Sequence, residues 1–214
     1  MIACSLVSDG PSDAALLPMI RWAVEQHAGR CSVAAVWADL RRLARKPRNL
    51  AEKIGEAARL YPCDILFVHR DAERQPPDWR RAEIDTAVAE AQQDGMHVPH
   101  VCVVPVRMQE AWLLVDAAAI RRAAGNPNGR VPLTMPGGAS IESVDAKRVL
   151  YDLLRAASEL RGRRLQSFRP EICARRVSEN IRDMRALTAL PAFQRFESDV
   201  NDVLARLHLE RQNG

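Results

Sequence analysis

Residues 64–74 read Asp-Ile-Leu-Phe-Val-His-Arg-Asp-Ala-Glu-Arg, an apolar run that breaks abruptly into acidic and basic side chains before Pro76-Pro77. A short, unbroken apolar run of this kind suits a strand covered on both faces, which requires a mainly parallel sheet with helices on either side. Ligands of such sheets bind beyond the carboxyl ends of the strands, so Asp71 and Glu73 stand where a site is expected. If the strand stays extended to its end, Phe67, His69, Asp71 and Glu73 share one side, and the two carboxylates can hold one cation. The competing reading is a strand end that turns polar on reaching water.

The rest of the chain supplies the partners this strand needs. Residues 2–7 are strand-like and are broken by Ser8-Asp9-Gly10-Pro11-Ser12-Asp13 before an apolar-periodic run to about His27. Ser12 is the expected helix cap, and Gly10 allows the backbone to approach an anion. Residues 31–37 form a second strand, followed by the basic run 41–48. A helix opens at Asn49 and closes at Pro62, another spans residues 79–94 and ends at Gly95, and residues 98–106 make the fourth strand. This βα alternation predicts an α/β fold with a four-stranded, mainly parallel sheet and right-handed crossovers.

A further helix is expected from Gln109 to about Ala124. Residues 125–140, rich in Gly, Pro and Asn, read as a loop or lid. Helices over 144–160, 171–187 and 191–209 then form a C-terminal extension. The expected division is an α/β domain over 1–124, with the loop and helical extension over 125–214.

Three strand ends offer carboxylates: Asp9 after the first, Asp71 with Glu73 after the third, and Glu110 after the fourth. Clustered carboxylates repel one another unless a cation neutralises them, and oxygen ligands select Mg²⁺ or Mn²⁺. Such a site suits phosphoryl transfer or hydrolysis. His69, inside the apolar run, is either a satisfied core residue or a metal ligand and proton shuttle. Arg70 and Arg74 flank the acidic pair and either contact phosphate or neutralise the carboxylates. Asp116 is a further ligand or a polar helix position.

Charge is distributed unevenly. Residues 1–118 carry 14 Lys and Arg against 16 Asp and Glu, while residues 119–214 carry 17 against 11. A basic half beside an acidic one suits a polyanion held near a metal. The five cysteines form no C-x-x-C pair and read as small buried hydrophobes, neither disulfides nor zinc ligands. No apolar stretch approaches the ~20 residues of a membrane span, and Met1-Ile2-Ala3-Cys4 enters the first strand without a basic leader, so a cytoplasmic location is expected.

Asp9-Gly10-x-Ser12-Asp13 after a first strand, Asp71-x-Glu73 after a later one and Glu110-Ala-Trp112-Leu-Leu-x-Asp116 further on together resemble the TOPRIM fold. They are most similar to a family of bacterial TOPRIM-like proteins known only as a domain of unknown function. That family usually carries Glu where this chain has Asp9, and Asp-x-Asp where it has Asp71-x-Glu73. The resemblance implies a Mg²⁺- or Mn²⁺-dependent enzyme acting on nucleic acid, like the TOPRIM domains of OLD-type nucleases. Asp9 would take the general acid/base position, Asp71 and Glu73 would be metal ligands, and Glu110 a further ligand or anchor. Gly10, Asp13, His69, Arg70, Arg74 and Asp116 would be accessory. A topoisomerase would need a nucleophilic tyrosine, and Tyr61 and Tyr151 both sit at helical positions, so hydrolysis by water is the expected reaction. Similarity to components of anti-phage defence implies a partner protein encoded nearby.

Two other readings stand beside it. A phosphatase of the haloacid-dehalogenase type expects its Asp-x-Asp on the first strand, whereas here it follows the third. A catalytically silent binding or scaffold subunit would keep the acidic cluster only for the fold.

Overall fold

The computed structural model describes residues 1–29, 31–142 and 144–213, with the side chains of 138, 139 and 210–213 excepted. Four strands, β1 (Ile2–Val7), β2 (Val33–Trp37), β3 (Ile65–His69) and β4 (His100–Val103), form one all-parallel sheet in the order β2-β1-β3-β4. All five residues of β3 are buried, as its unbroken apolar run requires. The start of β3 is locked to β1 from both sides: Asp64 N–H donates to the Ala3 carbonyl and Ala3 N–H to Asp64 Oδ2, each at 2.8 Å.

The helices of this part are α1 (Leu17–His27), α2 (Leu50–Leu60) and α3 (Pro77–Gln93). Register partners in a parallel sheet point the same way, so Cys4, Leu6, Ile65 and Phe67 share one face and Val7, Leu66 and Val68 the other. The second face is packed by α2 and α3 through Ile54, Ala57, Ile84, Ala87 and Val88. On the first face Phe67 meets Phe196, their rings 6.1 Å apart, and His27 at the end of α1 lies 3.4 Å from Glu197. Both partners belong to the last helix.

The chain divides into two units, residues 1–104 with 195–214, and residues 105–194. The expected boundary at 124 therefore falls inside the second unit, and the last helix is shared by the two. Unit two contains α4 (Ala117–Ala123), α5 (Ala146–Ser158), α6 (Gly162–Gln166), α7 (Pro170–Asn180) and the start of α8 (Pro191–Asn213). Its core is built from Leu150, Leu153 and Leu154 of α5, Ala174 and Val177 of α7 and Ile120 of α4, with Trp112 edge-on to Phe193 at 5.1 Å.

Three local expectations need correction. The first helix does not start at a Ser12 cap: residues 11–16 form a 3₁₀ turn whose entry is closed by Asp13, which accepts from Gly10 N–H at 3.0 Å. The helix expected from Gln109 is two pieces, a 3₁₀ turn over Gln109–Leu113 and α4, the latter capped by Asp116 accepting from Ala119 N–H at 3.0 Å. The helix expected to run to Leu187 ends at Asn180, because Asp183 caps a separate 3₁₀ turn over Met184–Ala189. Asn49 does cap α2, accepting from Glu52 N–H at 2.8 Å.

Candidate functional site at the carboxyl edge of the sheet

The strand order makes β1 and β3 neighbours whose onward connections leave in opposite directions, β1 toward β2 and β3 toward β4. Crevices open at such switch points, and ligands of open α/β sheets bind there. The pairing of Val7 with Val68 carries the two strands out together, so Ser8 and Asp9 emerge beside His69, Arg70 and Asp71. Arg70 N–H still bonds the Val103 carbonyl at 3.2 Å, which holds this corner against β4.

The side chains there form an alternating chain of charge. Lys53 Nζ lies 3.1 Å from Asp9 Oδ1, and Arg70 Nε 3.4 Å from Asp9 Oδ2. Arg70 continues to Glu83 at 3.5 Å, Glu83 to Arg80 at 2.7 Å, and Arg80 to Glu73 at 3.4 Å. Lys53 also donates to the Ser8 carbonyl, and Ser8 Oγ accepts from Trp37 Nε1 at 2.9 Å, so the end of β2 braces the same turn. The Asp9 carboxylate remains 61% exposed.

His69 is buried, and its Nδ1 lies 2.9 Å from the Val103 carbonyl. A carbonyl only accepts, so Nδ1 carries the proton, and in the neutral ring Nε2 presents its lone pair 3.5 Å from Asp71 Oδ1. The shared side expected for His69 and Asp71 is thus present, but Glu73 leaves it. Its backbone turns into the left-handed region with φ 54°, which ends the strand alternation and sends a 71% exposed carboxylate to Arg80. Arg74 is exposed.

Glu110 and Asp116 lie in the second unit. Glu110 is buried in the 3₁₀ turn with Lys147 Nζ at 3.5 Å. Asp116 serves as the cap of α4 and lies 3.5 Å from Arg122, the polar helix position that was one of its two readings. Gly10 and Asp13 close the turn after β1 upon each other, with Ser12 Oγ donating to Asp13 Oδ1 at 3.1 Å, so Gly10 N–H is already engaged.

Part of the basic run after β2 is matched by the flanking carboxylates Asp39 and Glu52. Arg41 forks onto Asp39 at 2.8 Å through two nitrogens, and Arg48 onto Glu52, to which Arg45 is also close at 3.7 Å. These guanidiniums hold the Asp39 and Glu52 carboxyls down at about 2. In the second unit, within the basic half of the chain, Arg161, Arg163, Arg164, Arg169, Arg175 and Arg176 are all exposed. Arg169 alone of these is ion-paired among the described residues, to Glu171 at 3.7 Å. A cavity of about 630 Å³ lies in the groove between α2 and α3 and is lined by none of the expected acidic residues.

A second polar cluster escaped the sequence reading. Asp85 of α3 and His100 and Cys102 of β4 bring one ligand-type atom each within 4.8 Å of one another. The available signal was His100-x-Cys102, two residues on one face of a strand, masked by the apolar run around them. No helix among the described residues is long and apolar enough to cross a membrane. In comparisons with known proteins, no family model, no curated protein and no solved structure matches the chain.

Proposed function

We propose that the edge formed by β1 and β3 is a divalent-metal site for hydrolysing phosphodiesters of nucleic acid, in the manner of the TOPRIM-like nucleases that the motifs resemble. The observation that carries the reading is the emergence of Asp9 and the His69-Arg70-Asp71 segment side by side at the switch point of the sheet. The Asp9 and Asp71 carboxylates are the ligands that suit a hard cation. His69 Nε2 lies 3.5 Å from Asp71 Oδ1, and the ion pairs holding the exposed Asp9 belong to a class worth only ~0–1 kcal/mol, so they yield readily. Asp71 and Asp9 would hold Mg²⁺ or Mn²⁺, which supplies charge stabilisation and an acidified water when bound.

The chain's own groups do the rest. Lys53 and Arg70 are the cations nearest Asp9, and a phosphate drawn to them releases that carboxylate to accept a proton from water. Arg80 and Glu83 keep Arg70 oriented from behind. Exposed arginines of the second unit contribute phosphate contacts, and the protein acts in the cytoplasm, in a defence setting with a partner protein.

A second reading, a silent nucleic-acid-binding subunit, is favoured by one observation: Asp9 is already matched by two protein cations. Cleavage of single- and double-stranded DNA and of RNA with Mn²⁺, and in chelator, decides between the two. Metal-dependent cleavage lost in both Asp9→Asn and Asp71→Asn supports the nuclease. Binding without cleavage by the wild type supports the silent subunit, and neither binding nor cleavage overturns both.

A further inference from the structure

Strand β4 is the edge of the sheet, and its outer flank is closed by α3 and by the part of α8 that belongs to the first unit. Arg81 of α3 is ion-paired to Asp199 of α8, which also lies 3.6 Å from Arg195. Within this frame Asp85 Oδ1 is 2.9 Å from His100 Nε2 and 3.5 Å from Cys102 Sγ. All three ligand-type atoms belong to different side chains and lie within 4.8 Å of one another, beside a pocket of about 170 Å³ also lined by Asp202 and Arg206.

Two features separate this arrangement from an ordinary histidine–carboxylate pair. First, Cys102 is buried against the α2 and α3 layer, yet its sulfur is turned toward a carboxylate that is 59% exposed and could rotate into water. Second, the two spacings from Asp85 lie close to those of a coordination sphere. Zinc bonds of about 2.0–2.1 Å to N and O and about 2.3 Å to S set tetrahedral ligands about 3.3–3.6 Å apart. The sulfur–oxygen distance already has that value, and the nitrogen–oxygen distance needs only a few tenths of an ångström more.

We propose that Asp85, His100 and Cys102 form a binding site for a borderline-soft divalent transition metal, zinc foremost, on the edge strand. The thiol and imidazole select against Mg²⁺ and Ca²⁺. As the metal–sulfur bond forms, the thiol proton passes to solvent. Three protein ligands leave a fourth position open toward the pocket, where solvent or an anion favoured by Arg206 completes the sphere. The site is separate from the carboxylates after β1 and β3, because none of its ligands belongs to those turns.

The test is metal binding by the full chain after chelator treatment. Titration with Co²⁺ should produce the intense near-ultraviolet absorption of a cobalt–thiolate bond, and added Zn²⁺ should erase it at one equivalent per chain. Zinc X-ray absorption should show one sulfur at about 2.3 Å. Cys102→Ser should abolish the thiolate band. Asp85→Asn lies on an exposed helix position and keeps the fold measurable by circular dichroism; it should weaken Zn²⁺ by more than the roughly 10–100-fold that loss of an outer-sphere partner costs. Asp71→Asn should leave the cobalt–thiolate band and its displacement by Zn²⁺ unchanged, which separates this site from the proposed nuclease centre. The proposal is overturned if the wild type shows no cobalt–thiolate band, if Zn²⁺ binds with no sulfur in its sphere, or if folded Asp85→Asn retains full affinity.

Discussion

Arg70 Nε lies 3.4 Å from Asp9 Oδ2 across the two central strands, and a terminal nitrogen of the same guanidinium lies 3.5 Å from Glu83 Oε1. One side chain thus ties the turn after β1 to helix α3, with Lys53 holding the other oxygen of Asp9 from α2. The consequence is a carboxylate whose charge is compensated by movable cations. In the proposed function such a site would exchange protein cations for metal and hand the released cations to a phosphate.

Arg70→Gln tests this exchange. The substitution removes the pairs to Asp9 and to Glu83, and each partly exposed pair should change unfolding free energy by no more than ~1 kcal/mol. Mn²⁺ measured by calorimetry should bind up to about fivefold more tightly, since a competitor worth that much has gone, while oligonucleotide affinity should fall. Weaker Mn²⁺ binding in the variant would show that Arg70 and metal do not compete for Asp9.

The pairing of Phe67 with Phe196 predicts that α8 contributes to the stability of the sheet. Both rings are fully buried, so Phe196→Ala should destabilise the protein by about 3–5 kcal/mol in urea unfolding. A cost below ~1 kcal/mol would mean that the last helix contributes little to the first unit.

What could be read in the sequence follows from where the information is local. The unbroken apolar run of β3, the βα alternation and the Asn49 cap are properties of adjacent residues, and the parallel sheet follows from them. The return of α8 to the first unit is not local. Phe196, Val200, Val203 and Leu204 make the same amphipathic pattern whichever surface they cover, so the boundary was expected at 124. Glu73 escaped because alternation was extended past a residue whose backbone turns left-handed, and nothing in Asp-Ala-Glu-Arg announces that turn. The Asp85, His100 and Cys102 cluster escaped because two of its members are hidden in a strand and the third lies fifteen residues away on a helix.

The exposed arginines of the second unit that have no ion pair among the described residues predict salt-sensitive binding. Each phosphate contact steepens the fall of log affinity with log salt by ~0.7 for single strands and ~0.9 for duplex. Replacing Arg175 and Arg176 together with Gln should therefore flatten the slope by about 1.4–1.8 if both contact phosphate. A slope unchanged by the double substitution, read by fluorescence anisotropy from low to moderate salt, would remove α7 from the interface.

The last prediction concerns alkaline stability. Burial, aided by the nearby Cys63 and Asp64, pushes the Cys4 thiol from 9.0 up to about 12, and burial raises Cys63 to about 11. The folded chain therefore keeps these protons at a pH where the unfolded chain releases them. The sign follows directly: their stabilising contribution is complete below pH 9, declines as pH rises above it, and is exhausted once the folded-state values of about 11 and 12 are passed. Cys4→Ala removes one titrating group from the middle of β1 and a buried sulfur with it, so at pH 8 the variant should melt below the wild type. Between pH 8 and about 10.5 the wild type carries the additional proton-linked loss and the variant does not. The gap between the two melting temperatures should therefore narrow steadily across that range. A gap that stays constant, with both proteins folded by circular dichroism at every pH, would show that the Cys4 thiol titrates alike in the folded and unfolded chain.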